Sequence, residues 1–309
     1  MATRAQLHII IPTHTTRGLW RTLLGVSLQS RAPDSLTITC DTDDEAIFDL
    51  AERFARERSA PITLVRRPHQ GVERLAQVRN NAVRALLARN PSPDARLIFL
   101  DGDCCPAENM LERHETFGQR GDLVIAYRVN LTPEQTQAFD DDALARGRQP
   151  VALTLADRKA LLRRHRRYRR HALLRRIGLG ESHKPKPLGG HHSVSLALYQ
   201  AVNGHDEQYH SWGTEDDDFG RRAYRAGGKP VIAVRDILVY HQWHETRQQG
   251  AWSDRENARR FRAGGPTRCL YGLETPLAQP PVRVDNLNLG KLRRRVDAQA
   301  DTPAEAAAS

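Results

Sequence analysis

Short apolar runs alternate with amphipathic stretches through the first hundred residues. The runs at Leu7–Ile11, Leu36–Cys40, Ile62–Val65 and Leu97–Leu100 are bounded by turn-forming or charged residues, which predicts buried strands. Between them the periodicity predicts helices near Leu19–Leu28, over Asp44–Arg58 and over Val72–Ala88, the last with Leu75, Val78, Ala82 and Leu86 on one face. Strands separated by helices of this length imply right-handed crossovers and a mostly parallel sheet, a nucleotide-binding type of α/β architecture. A helix is also expected over Pro106–Phe117.

The pattern then changes. From Thr132 to Pro187 an acidic stretch (Asp140, Asp141, Asp142) leads into a long basic helical stretch with no strand signal, which reads as an insertion. Strand signals return at Ser193–Leu198 and Val231–Val239, with a helix from Glu215 to Ala226 between them. The tail after Arg295 is small and polar and is expected to be disordered. There is no internal repeat. The division that follows is a nucleotide-binding half over 1–130, an arginine-rich helical insertion over 131–187, an acceptor and catalytic half over 188–265, and a C-terminal extension over 266–309.

Composition adds two points. With 39% apolar and 27% charged residues, no apolar run approaches the roughly 18 residues of a membrane span. The first apolar run, stopped by Pro12, is too short for a secretory signal, and Cys40, Cys104, Cys105 and Cys269 form neither a disulfide framework nor a CxxC site. A reducing cytoplasm is the expected location. The net charge of +10 is local: Arg163 to Arg176 holds eight arginines and no acid, and without them 39 basic residues face 37 acidic ones. Leu161, Leu162, Leu173, Leu174 and Ile177 give this stretch apolar ends. A solvated helix face, a peripheral contact with an anionic membrane and binding of an anionic glycan all suit it. A nucleic-acid contact also competes, but only four Trp, seven Tyr and seven Phe occur and no nucleic-acid motif accompanies the run.

In open sheets of this kind ligands bind beyond the carboxyl ends of the strands, which singles out Pro12 and Thr13, Asp41, Arg66 and Arg67, and Asp101-Gly102-Asp103. The last places two carboxylates at i and i+2 after a buried strand, suited to a hard cation such as Mn²⁺ or Mg²⁺ that completes its shell with substrate phosphates. The same residues also suit a turn in which aspartates cap the next helix. Trp212-Gly213-Thr214-Glu215-Asp216-Asp217-Asp218 puts four acids at a helix start. Thr214 as N-cap with Asp217 completing a capping box explains two of them. A pocket in which Trp212 stacks on a sugar and a carboxylate receives a hydroxyl proton explains the cluster as a whole. His241 and His244 follow a strand signal, and His241, nearer its end, is the preferred partner for Asp101 and Asp103 at a metal. His191 and His192 read as pocket or polar loop residues rather than ligands.

Taken together these residues resemble GT-A fold glycosyltransferases close to the family 2 enzymes, with a C-terminal part similar to the β-1,4-galactosyltransferase module. The resemblance rests on Ile11-Pro12-Thr13, Asp41, Arg79-Asn80, Asp101-Gly102-Asp103, Gly189-Gly190, Asn203-Gly204-His205-Asp206-Glu207, Trp212 to Asp218 and the later His, over roughly residues 6–130 and 187–245. It implies a Rossmann-like, mostly parallel mixed sheet flanked by helices, and an inverting, Mn²⁺- or Mg²⁺-dependent transfer of a hexose or N-acetylhexosamine from a nucleotide-sugar donor, a UDP-sugar, to a glycan or lipid-linked acceptor. Pro12, Thr13 and Asp41 would then sit by the nucleoside and Arg79 by the diphosphate. Asp103, Asp101 and His241 would hold the metal. Gly190, Trp212, Gly213 and Glu215 would bind sugar or acceptor, and Asp216 would be the general base. The loop Cys40-Asp41-Thr42-Asp43-Asp44 departs from the usual Asp-Asp-Gly-Ser type, so Asp43 is an alternative contact to the base. Cys104 and Cys105 beside the metal site read as packing residues or as an oxidation-sensitive pair. A sugar nucleotidyltransferase would need a glycine-rich, lysine-bearing loop after the first strand, which Pro12 to Gly18 does not supply.

Overall fold

The computed structural model describes residues 4–42, 44–211, 213–245 and 256–288. Their elements are, in chain order, β1 (Leu7–Pro12), α1 (Leu19–Ser27), β2 (Ser35–Cys40), α2 (Ala46–Glu57), β3 (Ile62–Arg66), α3 (Leu75–Leu87), β4 (Arg96–Leu100), β5 (Cys104–Pro106), α4 (Met110–Gly118), β6 (Leu123–Ile125) and β7 (Val129–Asn130). There follow α5 (Pro133–Gln137), α6 (Asp141–Ala145), α7 (Leu155–Arg176), β8 (His191–Ser195), α8 (Leu196–Ala201), α9 (Glu215–Arg225), β9 (Pro230–Ile232), β10 (Val239–His241), α10 (Glu256–Ala263) and β11 (Arg283–Leu287).

Eight strands form one sheet in the order β11-β3-β2-β1-β4-β8-β6-β9, and β5, β10 and β7 form a second, small one. β3, β2, β1 and β4 run parallel to one another, as the alternating apolar runs predict. β8 enters antiparallel against β4 with Leu100 opposite His191, so the start of β8 lies at the carboxyl end of β4. Successive side chains of a strand point to opposite faces, and each face here carries its own core. Ile9, Ile11, Ile98 and Leu100 pack with Leu23, Phe54 and Met110 on one side. Ile10, Leu97 and Phe99 pack with Val83, Tyr199 and Phe219 on the other.

Several sequence expectations shift. The expected strand Ser193–Leu198 is displaced to His191–Ser195, because the Ser195 side chain accepts from Leu198 N (3.3 Å) and starts α8 there. The expected strand Val231–Val239 is two strands in different sheets, separated by a turn in which Asp236 N donates to Ala233 O (2.9 Å). α3 starts at Leu75 rather than Val72, since Arg74 N is taken by the Asp41 carboxylate (3.1 Å). α4 starts at Met110, with Pro106 spent in β5. The strands β5, β6, β7 and β11 carry only two to five residues each and leave no clear period. β11, inside the segment expected to be an extension, pairs antiparallel with β3 at the sheet edge. The tail after Arg295 lies outside the described residues.

The Asn203-Gly204-His205-Asp206-Glu207 segment is an internal fastening. Asn203 and Gly204 both adopt left-handed backbone, with φ of 62° and 70°. This turn delivers Glu207, fully buried, to α3, where it accepts from Asn80 Nδ2 (2.9 Å), Gln77 Nε2 (3.2 Å) and Leu277 N (2.8 Å) and pairs with Arg84. Removing one partner of a buried pair leaves the other uncompensated. Glu207→Ala is therefore expected to cost about 3–5 kcal/mol in denaturant unfolding; a loss below about 1 kcal/mol would show that the network is dispensable.

Candidate active site

The ends of β2 and β4, the entry to β8, the start of α9 and the end of β10 meet at the carboxyl side of the main sheet. Asp101 and Asp103 leave β4 through a turn closed by Cys104 N to Asp101 O (3.0 Å). They do not cap α4, whose N-cap is Asn109. The turn feeds straight into β5, where Cys104 faces His241 of β10 in antiparallel register. Sheet pairing thus brings the late histidines to the aspartate turn, across more than 130 residues of sequence.

Asp103 Oδ2 lies 3.4 Å from His241 Nε2 and 3.2 Å from His244 Nε2. One atom from each of the three side chains falls within a sphere in which all are less than 4.8 Å apart. Burial would raise the Asp103 carboxyl, but the hydrogen bond and charge of His241, with Arg128 and His244 behind it, hold it below the usual carboxylate range. One carboxylate and two imidazoles are a donor set able to hold a first-row divalent cation. Both histidines, rather than His241 alone, address Asp103. Asp101, with Cys104, forms an overlapping group on the other side of Asp103. It turns toward Arg128, whose Nη1 donates to Asp101 Oδ2 at 3.1 Å. Burial, opposed by Arg128 and helped by the Asp103 charge, raises the Asp101 carboxyl.

The second half of the site is separated from the first only by Gly189 and Gly190. A Cβ on Gly190 would stand 2.6 Å from Asp101 Oδ2 and 2.8 Å from Arg128 Nη1; one on Gly189 would stand 2.0 Å from Arg79 Nη2 and 2.8 Å from Asp216 Oδ1. A side chain at either position would have to displace the charged groups that stand there. Gly189 N donates to Asp216 Oδ2 (2.7 Å), while Arg79 Nη1 donates to Asp216 Oδ1 (3.1 Å) and lies 3.9 Å from Glu215 Oε1. Glu215 Oε2 accepts from Gly213 N (3.1 Å), whose φ is 116°.

The four acids of α9 divide by direction. Glu215 and Asp216 face Arg79. Asp217 pairs with Lys186 (2.8 Å), and Asp218 is buried against Arg221 (2.8 Å) and Arg222 (2.6 Å). The expected capping box does not form: Thr214 has a φ of 67° and makes no side-chain cap bond. Burial pushes Glu215 up, the Asp216 charge adds to it, and the carboxyl reaches about 7. Burial acts on Asp216 too, but Arg79 and then Lys186 outweigh it and hold this carboxyl below its ordinary value.

The remaining expectations fall as follows. Asp41, just past the end of β2, is buried and its Oδ2 accepts from Arg67 Nη2 and Arg74 N, both at 3.1 Å. Pro12 ends β1, its oxygen accepting from Gly102 N (3.2 Å), and Thr13 Oγ1 donates to Thr15 O (2.7 Å). Arg79 is 1% exposed and its charge is taken by Asp216, so it underpins the carboxylates of α9. Arg128, a third exposed, is the guanidinium beside Asp101. It lies just past β6, a strand too short to be read from sequence, so the strand-end rule could not reach it. His191 and His192 are buried on β8, lowered to about 4 chiefly by burial, and serve packing. Burial also pushes Cys105 up to about 12 and raises Cys104, which makes them packing thiols. Asp43 and Trp212 lie outside the described residues.

Residues 180–242 match the family described as the N-terminal domain of galactosyltransferase, a span that includes Gly189, Gly190, Gly213, Glu215, Asp216 and His241. No curated protein sequence matches the chain. Among solved structures it is similar to S. aureus TarS 1-349, at 14% identity and a TM-score of 0.50, over 77% of this chain and 60% of that one. The same protein in complex with UDP-GlcNAc gives 15% identity and a TM-score of 0.50, over 78% and 60%. GalNAc-T7 with UDP, GalNAc and Mn²⁺ gives 15% identity and a TM-score of 0.54, over 84% and 48%. The chain thus spans less than two thirds of the length of these structures. The chain shares the fold of these GT-A glycosyltransferase structures, as the strand-end residues led one to expect, and residues 180–242 within it resemble a galactosyltransferase domain.

The raised Glu215 carboxyl yields a pH prediction. Glu215 keeps its proton in the fold after the unfolded chain has lost it, so from about pH 4.5 to 7 its contribution to stability falls as pH rises, by up to about 1.4 kcal/mol per unit. Glu215→Gln removes this decline. Its melting temperature relative to wild type is expected to rise between pH 5 and 8; a pH-independent difference would contradict the raised carboxyl.

Proposed function

We propose that this chain is a metal-dependent, inverting glycosyltransferase. It moves a hexose or N-acetylhexosamine from a UDP-sugar to a hydroxyl of a glycan or lipid-linked acceptor. The observation that carries the reading is the meeting of two groups across Gly189 and Gly190: Asp103 with His241 and His244 on one side, Asp216 and Glu215 on the other. The UDP, UDP-GlcNAc and Mn²⁺ in the similar solved structures support the donor and the cation.

Asp103, His241 and His244 would hold Mn²⁺ or Mg²⁺, with Asp101 in reserve beside them. When bound, such an ion neutralises charge on a departing diphosphate. Arg128 adds a fixed cation on the same side, and Asp41 lies at the strand end where the nucleoside would sit. In the transfer step the acceptor oxygen bonds to the anomeric carbon as the bond from that carbon to the phosphate oxygen breaks, and the acceptor proton passes to Asp216. Single displacement from the opposite face gives inversion. Arg79 and Gly189 N keep Asp216 ionised and aimed for this role. Glu215, holding a proton near neutrality, can both donate to and accept from sugar hydroxyls. The four cysteines are free and buried, in keeping with a cytoplasmic enzyme.

Calorimetry with UDP tests the reading. Binding is expected to require Mn²⁺, to weaken at least about tenfold in Asp103→Asn, and to survive in Asp216→Asn, which loses transfer. Absence of UDP binding under any metal condition would overturn the UDP-sugar assignment.

A further inference from the structure

α7 has a solvent face that neither the fold nor the proposed transfer reaction uses. The helix is started by a capping box in which Thr154 and Asp157 satisfy each other's backbone, and Asp157 is its only acid. It packs through Leu161, His165 and Tyr168. Two of its arginines are structural: Arg164 stacks over Tyr127 at 3.9 Å, and Arg175 stacks over Tyr224 at 3.9 Å while binding the carbonyls of residues 181, 182 and 184.

The opposite face is a single stripe. Leu155, Lys159, Arg163, Arg166, Arg170, Leu173 and Ile177 follow one another at three- or four-residue steps, with Arg167 beside them, so they lie in one row along the helix. Arg163, Arg166, Arg167 and Arg170 are all exposed and make no hydrogen bond or ion pair among the described residues. The stripe is apolar at both ends. Leu155 is 68% exposed, Leu173 59%, Ile177 57% and, just past the helix, Leu179 73%. Only five large apolar side chains are this exposed among the described residues, and these are four of them. The positive surface continues around the flank, where Arg120, Arg169 and Arg235 border a cavity of about 540 Å³.

We infer that α7 docks this chain on an anionic lipid surface, lying along it with the arginines on headgroup phosphates and Leu155, Leu173, Ile177 and Leu179 inserted among the acyl chains. Charge alone would suit any polyanion. Leucines and an isoleucine in line with the arginines favour a bilayer interface, since nucleic acid and phosphorylated glycan have no apolar phase to receive them. Membrane-span length is not at issue: among the described residues no helix is long and apolar enough to cross a bilayer. Docking of this kind is independent of the proposed reaction.

Vesicle co-sedimentation tests it, using the full chain with phosphatidylcholine vesicles and with mixed phosphatidylcholine and phosphatidylglycerol vesicles. Binding is expected only to the anionic vesicles. Replacing Arg163, Arg166, Arg167 and Arg170 together with Gln should weaken it at least about 100-fold. Replacing Leu155, Leu173 and Ile177 with Ser should weaken it about tenfold at moderate salt and leave a residual binding that high salt removes completely. All seven side chains are exposed, so unchanged melting temperatures are expected and would separate lost docking from lost folding. Failure to bind anionic vesicles, or equal binding of the Ser variant, would overturn the inference; tight binding of homopolymeric RNA in place of vesicles would reassign the face to nucleic acid.

Discussion

The site is organised around one buried charge. Arg79, on α3, is almost wholly removed from solvent, and its guanidinium stays there because Asp216 lies at 3.1 Å and Glu215 at 3.9 Å. A buried cation without a counter-ion is costly, so the start of α9 must be where it is for α3 to pack. One arginine cannot fully compensate two carboxylates. The nearer one, also held by Gly189 N, stays ionised, and the other is driven toward its neutral form. Adjacent acids are thereby given different protonation states, the arrangement that proton-transfer chemistry requires.

The same interaction constrains the metal side. As they stand, Asp216 and Arg79 occupy the space a Cβ at position 189 would take, and Asp101 and Arg128 that at 190. The two glycines act as a thin partition, with Asp101 and Arg128 against one of them and Asp216 and Arg79 against the other. β8, which they introduce, pairs with β4 and locks the partition to the aspartate turn, Asp101 N donating to Gly190 O at 3.2 Å.

Much of this is legible in the sequence, and the failures have physical causes. The parallel half of the sheet can be read because β1 to β4 are buried on both faces and appear as apolar runs. The aspartates, glycines and acid run are visible because they are chemically unusual at strand ends and a helix start. Arg79 stands out in the sequence only through the family resemblance, and packing alone reveals that Asp216 neutralises it. Arg128 escapes notice because β6 is three residues long. The Thr214 cap fails since a left-handed residue there cannot present its hydroxyl to the helix. Glu207 carries a motif signal, yet its role is to clasp the chain near Leu277 to α3.

The central claim is that Arg79 splits the ionisation of Glu215 and Asp216. An isotope-edited NMR titration of the side-chain carboxyl carbons, in wild type and Arg79→Met, reads this directly. In wild type the Glu215 signal is expected to titrate near pH 7 while Asp216 stays ionised below the ordinary aspartate range, and the Asp216 value is expected to rise in the variant. Two carboxyls titrating together at ordinary values in wild type, unmoved by loss of Arg79, would contradict it.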